Sequence, residues 1–180
     1  MRHESPDLLP AGVYGLPELN RELIRKAGLI ACPGCYPTAI LLGLIPLVEA
    51  KVVQPGSLIA DAKSGVSGAG RTLSLGTLYG EVAENFRSYG VAGHRHLPEI
   101  EQQLNAFYQE PVTLTFIPHL VPMFRGLQAT LYGTVVEGAE ITTDLFLFRT
   151  RYESHPFVHV YDSGGPPETL SLIHISEPTR

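Results

Sequence analysis

The chain has 180 residues, 44% of them hydrophobic, and carries 13 Lys and Arg against 18 Asp and Glu for a net charge of −5. That apolar content suffices for an ordinary globular core and excludes a disordered chain, while the absence of any basic run argues against nucleic acid or an acidic membrane surface and for a small soluble ligand. The start lacks the apolar centre of a secretion signal, the longest apolar stretch (Ala39 to Val48) is broken by Gly43 and Pro46, and the two cysteines lie only three apart. A bilayer span and a secreted disulfide framework are therefore not expected, and a cytoplasmic location is.

In chain order, residues 1 to 13 show no period and read as an irregular entry. Leu16, Leu19, Leu23 and Ile24 recur at helical spacing up to Lys26, and Leu29 to Cys32 is a short apolar strand. A Pro33-Gly34 turn then starts a helix that is apolar on all sides, with Pro46 kinking or ending it near Val48. Ser57 to Ala62 reads as a strand and empties into a Gly/Ser loop, Lys63 to Arg71. After a polar stretch, Leu97 to Tyr108 is a helix with Ile100, Leu104 and Phe107 on one face, opened by Pro98 and Glu99. Val112 to Ile117 is a strand of period two, residues 118–126 bend, and Leu127 to Val136 is another strand. Thr142-Thr143-Asp144 caps a helix to about Glu153, and Phe157 to Tyr161 reads as a last strand. Residues 171–180 continue no earlier pattern and read as a non-native tail.

Cys35 is the candidate nucleophile. Pro37 suits a first helical turn, so the thiol sits at a helix start, where unpaired amides and the positive end of the helix dipole favour the thiolate that attacks carbonyl carbon. Three chemistries remain open on the residues alone. Cys35 can form an acyl thioester with a histidine such as His94 moving the proton. Cys32 and Cys35 can be a Cys-x-x-Cys redox pair. Cys32, Cys35, His94 and His96 can form a zinc set, although the single-residue gap between the histidines is tighter than usual. The Ser64 to Arg71 loop can cradle phosphate with its amides, or be a plain flexible connection; it matches neither the P-loop nor the dinucleotide fingerprint.

Four motifs in register decide among these. Pro33-Gly34-Cys35-Tyr36-Pro37-Thr38-Ala39, Ser64 through Arg71, His94-Arg95-His96-Leu97-Pro98-Glu99-Ile100, and Pro118-His119-Leu120 through Arg125-Gly126 resemble, in order and spacing, the N-acetyl-gamma-glutamyl-phosphate reductase family over about residues 10 to 168. The resemblance implies an NADP(H)-dependent reductase of arginine biosynthesis. Its implied fold is α+β and glyceraldehyde-phosphate-dehydrogenase-like: a catalytic domain of mixed sheet with helices on one face, joined to a Rossmann remnant. It also implies Cys35 as nucleophile and His94 as acid/base, the Ser64, Gly65, Ser67 and Gly68 segment beside the nicotinamide end of the cofactor, Arg95 and Arg125 as anion contacts for substrate, no metal, and a homo-oligomer at full length. Cys32 is left without a role. An amino-adipyl phosphate carried by a protein is the alternative substrate.

One departure stands out. No Gly-x-x-Gly-x-x-Gly turn precedes Cys35, whereas the family has an N-terminal dinucleotide-binding domain and a returning C-terminal segment. The expected organisation is a cofactor-domain remnant over 1–33, a catalytic domain over 34–170 and the tail 171–180, with an exposed apolar face and no activity in this chain by itself.

Overall fold

The computed structural model describes residues 4–108, 110–139 and 145–161 of the protein, which divide into two compact units at Gly34/Cys35. The first unit holds β1 (Gly12–Tyr14), α1 (Pro17–Ile24) and β2 (Leu29–Ala31), with β1 and β2 parallel and in register from Gly12 beside Leu29 to Tyr14 beside Ala31. Parallel strands need a crossover, and α1 supplies it. Asn20 fastens it by donating its Nδ2–H to the Tyr14 carbonyl at 2.9 Å. Leu29 and Ile30 are exposed on β2.

The second unit begins with α2 (Cys35–Glu49), followed by β3 (Leu58–Ser64), the one-turn α3 (Tyr79–Val82), β4 (Arg87–Ser88), α4 (Leu97–Leu104), β5 (Leu114–Leu120), β6 (Leu127–Tyr132) and α5 (Phe146–Tyr152). The sheet order is β4-β5-β3-β6; β3 and β5 are parallel and the outer pairings antiparallel. Period-two burial separates its faces: Leu58, Ala60, Ala62 and Ser64 of β3 and Leu114, Phe116, Pro118 and Leu120 of β5 are buried, while Ile59 and Thr115 are exposed and Asp61, Lys63, Ile117 and His119 are partly so. The α2 and α4 helices pack against the buried side, and α5 packs on α2. A mixed sheet with helices on one face is the expected α+β arrangement.

The α2 helix buries Tyr36, Pro37, Ile40, Leu41, Leu44, Ile45, Pro46 and Val48. An apolar stretch of this kind is helical because tertiary packing encloses most of it, with Thr38, Ala39, Leu42, Gly43 and Leu47 left half-buried along one side rather than the burial on every side that its composition suggests. Gly43 sits so close to β6 that a Cβ there would lie 2.3 Å from a Leu131 methyl. Pro46 does not end the helix, which runs on to Glu49. Its missing N–H frees the Leu42 carbonyl, and the Tyr152 hydroxyl of α5 fills the gap by donating to it at 2.6 Å.

Several expectations change at the ends of elements. Residues 12–14, expected to be largely irregular, form β1, and Arg87–Ser88 form β4 within the stretch read as polar loop. Leu97 to Tyr108 stops at Leu104, because the Asn105 side chain turns to accept the Val112 N–H at 2.6 Å. The strand from Leu127 ends at Tyr132, with Val135 bridging singly to Val53. Phe157 to Tyr161 is not a strand: Val158 donates its N–H back to the His155 carbonyl in a turn, and no neighbouring strand pairs with the segment among the described residues. The Thr142 to Asp144 cap and the 171–180 tail lie outside the described residues. Among those residues no helix is long and apolar enough to cross a membrane.

The Pro46 and Tyr152 pairing is open to test. Tyr152→Phe should lower unfolding free energy by about 1–3 kcal/mol, the cost of an unmet buried carbonyl, measured by denaturant titration. In a Pro46→Ala background, where the helix regains its own N–H, the loss should shrink; an equal loss in both backgrounds contradicts the account.

Candidate active site

The carboxyl ends of the parallel strands β3 and β5 point toward the first residue of α2, and a cavity of about 360 Å³ opens there. Its wall comprises Cys35 and Tyr36, Gly68 and Ala69, Ser74 to Thr77 in part, Arg87 and Tyr89, His94 to His96, and Leu120. Cys35 is exposed to it, at the helix end whose first amides have no intrahelical acceptors. All four sequence motifs therefore contribute side chains or backbone to one hollow, the fourth through Leu120 alone, although Cys35 and His94 are far apart in the chain.

The rest of the fourth motif acts by holding the second. Gly65 donates its N–H to the Gly126 carbonyl, Val66 to Met123 and Ser67 to Phe124, each at 3.0 Å, and Val121 donates to Ser64. The loop after β3 is thus pinned to the bend after β5. A Cβ on Gly65 would lie 2.9 Å from the Arg125 nitrogen, and one on Gly68 would lie 2.4 Å from the Ser64 hydroxyl. These glycines are required by the protein's own packing. Of Ser64, Gly65, Ser67 and Gly68, only Gly68 borders the cavity; Ser64 is buried and donates to the Gly65 carbonyl. Arg95 lines the cavity, whereas Arg125 is not among its lining residues and sets its guanidinium over the Phe124 ring at 5.0 Å.

His94 is held with unusual definition. The tight turn before it needs Gly90 at φ +58°, and a Cβ there would press on the imidazole at 3.2 Å. The His96 backbone N–H donates to His94 Nδ1 at 3.1 Å. A backbone nitrogen can only donate, so Nδ1 is the bare nitrogen and the neutral ring carries its proton on Nε2. Burial, then His96 and Arg95, push the His94 pKa below its ordinary 6.5, which keeps the ring neutral near pH 7. Burial likewise lowers the pKa of His96, whose Nδ1 is enclosed with no hydrogen-bond partner among the described residues.

Arg87 escaped the sequence reading. It lies on the two-residue β4, lines the cavity, and donates to the Gly76 carbonyl, a reach that the absence of a side chain on Gly76 permits. A two-residue strand leaves no periodic trace, so the signal was a lone arginine a few residues before His94. His119, within the 118–126 stretch expected to bend, belongs instead to β5 and turns to the sheet's more open side: its Nδ1 lies 3.1 Å from Asp61 Oδ1, and its ring stacks on Phe86. The described residues assemble no group of three or more His, Cys, Asp or Glu suited to a metal ion.

Known proteins match this chain consistently. The chain is 55% identical over 172 residues to an N-acetyl-gamma-glutamyl-phosphate reductase of Nitrosomonas eutropha, which covers 96% of the chain and 49% of that protein. It is 53% identical over 172 residues to the protein of the same name from Laribacter hongkongensis, with the same coverage. It is 56% identical over 171 residues to that of Pseudomonas fluorescens, covering 94% of the chain and 49% of the relative. The chain thus spans about half the length of the curated relatives it matches.

Among solved structures, aspartate semialdehyde dehydrogenase II from Vibrio cholerae superimposes with TM-score 0.63 at 18% identity, over 90% of this chain and 54% of that one. Aspartate semialdehyde dehydrogenase from Francisella tularensis gives TM-score 0.55 at 12% identity, over 81% and 52%. The fold is therefore the glyceraldehyde-phosphate-dehydrogenase-like one expected. A family described as "Semialdehyde dehydrogenase, dimerisation domain" matches residues 35–176, most of the chain and nearly all of its second unit, and the chain belongs to that family.

Proposed function

We propose that this chain carries the acyl-accepting half of an NADP(H)-dependent N-acetyl-gamma-glutamyl-phosphate reductase, with Cys35 as nucleophile. The observation that carries the reading is the convergence of Cys35, His94 and two arginines on one cavity, in a chain 55% identical to a reductase of that name. The cavity's volume of about 360 Å³ suits a small acyl phosphate.

The Cys35 thiolate attacks the acyl carbon; a carbon–sulfur bond forms, the bond to phosphate oxygen breaks, and phosphate leaves with that electron pair. Arg87 and Arg95 stand where guanidinium groups can hold the phosphate or the substrate carboxylate. When bound, NADPH supplies the hydride that takes the thioester to the aldehyde level. The oxyanion formed at the acyl carbon is held by the Cys35 amide and by His94, whose neutral tautomer presents Nε2–H as a donor. Its collapse returns the sulfur's electron pair and frees the semialdehyde. Because Nδ1 accepts the His96 N–H, His94 serves first as a donor to that oxygen; forming the imidazolium would require that hydrogen bond to break.

The residues present fit only the nicotinamide end of the cofactor: Gly68 and Ala69 bring side-chain-poor backbone to the cavity wall, and the β1-α1-β2 crossover of the first unit is consistent with the closing part of a dinucleotide-binding domain. The family's description as a dimerisation domain supports a homo-oligomer. The names of the relatives favour the acetyl-glutamyl substrate over the amino-adipyl one, and a reductase over a Cys-x-x-Cys redox or zinc protein.

The tests use a full-length chimera in which this segment replaces the matching half of the Nitrosomonas eutropha relative. Cys35→Ser should abolish NADPH-dependent reduction and Cys32→Ser should leave it largely intact; equal losses, or disulfide exchange by the protein, would favour the redox pair instead.

His94→Asn should lower turnover at least ~100-fold. The parent's acid limb should lie below pH 6.5, because a His whose folded pKa is depressed stays neutral until the pH falls through that lower value. A limb centred above 6.5, or one that survives in His94→Asn, would assign the titration to another group.

A further inference from the structure

We propose that Tyr36 is a positioning residue for the reaction assigned above, its buried ring setting the His94 imidazole relative to Cys35 and its hydroxyl tying the start of α2 to β5 and to the cavity wall at Tyr89. The inference rests on that reading of Cys35 and His94 and adds the device that fixes the distance between them.

Tyr36 follows the nucleophile directly and is 2% exposed, so wherever its ring is seated Cys35 is seated too. The ring meets His94 edge-on with centroids 5.7 Å apart and planes at 87°, and meets His96 at 6.0 Å and Phe116 at 5.2 Å in the same manner. His94 also stands edge-on to Phe116 at 5.3 Å, to Tyr89 at 5.7 Å and to His96 at 4.7 Å. Edge-to-face contacts are directional, so four rings from α2, β5, the segment after β4 and the loop before α4 box in one imidazole. Only Tyr36 among them is covalently joined to the nucleophile.

The hydroxyl completes the arrangement. Tyr89 donates to the Tyr36 oxygen at 2.9 Å, and Tyr36 donates onward to the His119 carbonyl at 3.4 Å. A single side chain thereby links the nucleophile's helix, the central strand β5 and a tyrosine of the cavity wall. Burial raises the Tyr36 pKa strongly, and that of Tyr89 as well, so both hydroxyls keep their protons throughout the working pH range. The charged and titratable groups around His94 are then His96 and Arg95 on its own loop, Tyr36 and Cys35 on α2, and Tyr89 after β4.

Tyr36→Phe keeps the ring and breaks the relay, whereas Tyr36→Leu removes the ring. In the full-length chimera, Tyr36→Leu should lower kcat by about 100-fold, the scale of a misplacement near 1 Å, with KM changed much less, and Tyr36→Phe should recover most of kcat. The acid limb of the pH profile should move up toward 6.5 in Tyr36→Leu, since His94 loses a desolvating neighbour. The same shift should appear in an NMR titration of the His94 imidazole, which requires no catalysis. A loss of folded protein alone would scale kcat and leave the limb and the titration unmoved, which would overturn the proposal; so would Tyr36→Phe as damaging as Tyr36→Leu, or Tyr36→Leu with normal turnover. If Cys35→Ser remained active, the reaction assignment would fail while the NMR shift could still hold.

Discussion

Burial of α2 is the constraint on which the rest of the structure depends. A helix with apolar side chains on every face must be enclosed, and enclosure against β6, α4 and α5 leaves no freedom in where its first residue lies. Because β3 and β5 run parallel and end beside that residue, the helix start and the strand ends share one rim. The reactive thiol is placed there by a core-packing requirement, and the flaw that Pro46 introduces is repaired within the same core by Tyr152.

The loops then divide the work of building the site. The bend after β5 contributes almost nothing to the cavity directly; its carbonyls hold the turn after β3, so that Gly68 and Ala69 form a wall. The loop before α4 defines one imidazole by a single backbone hydrogen bond and a glycine at positive φ. What looks in sequence like a set of separate motifs is in the fold one rim and its supports.

Much of this was legible in the residues. The apolar segment Ser57 to Ala62 pointed to β3, the period-two pattern from Val112 to β5 and uniform hydrophobicity to α2, and the Pro-Gly turn before Cys35 marked it as the candidate nucleophile. What escaped was whatever depends on pairing partners: β1 and β4 are three and two residues long and exist only because β2 and β5 lie alongside. Arg87 was hidden for the same reason. Residues 157–161 carried strand composition, but composition cannot supply a free edge to pair with. The Ser64 to Arg71 loop left a phosphate cradle and a plain flexible connection both open, and the close contacts of Gly65 and Gly68 are with Arg125 and with Ser64 of the loop itself, a distinction that a glycine count cannot make.

The central claim is that the acyl group passes through Cys35. The most direct measurement is to incubate the full-length chimera with N-acetyl-gamma-glutamyl phosphate in the absence of NADPH, quench with acid and map the acylated peptide by mass spectrometry. The account predicts one hydroxylamine-labile acyl group on Cys35, appearing with release of phosphate. Acylation of Cys32 or of any other residue, or phosphate release with Cys35 left unmodified, would contradict it.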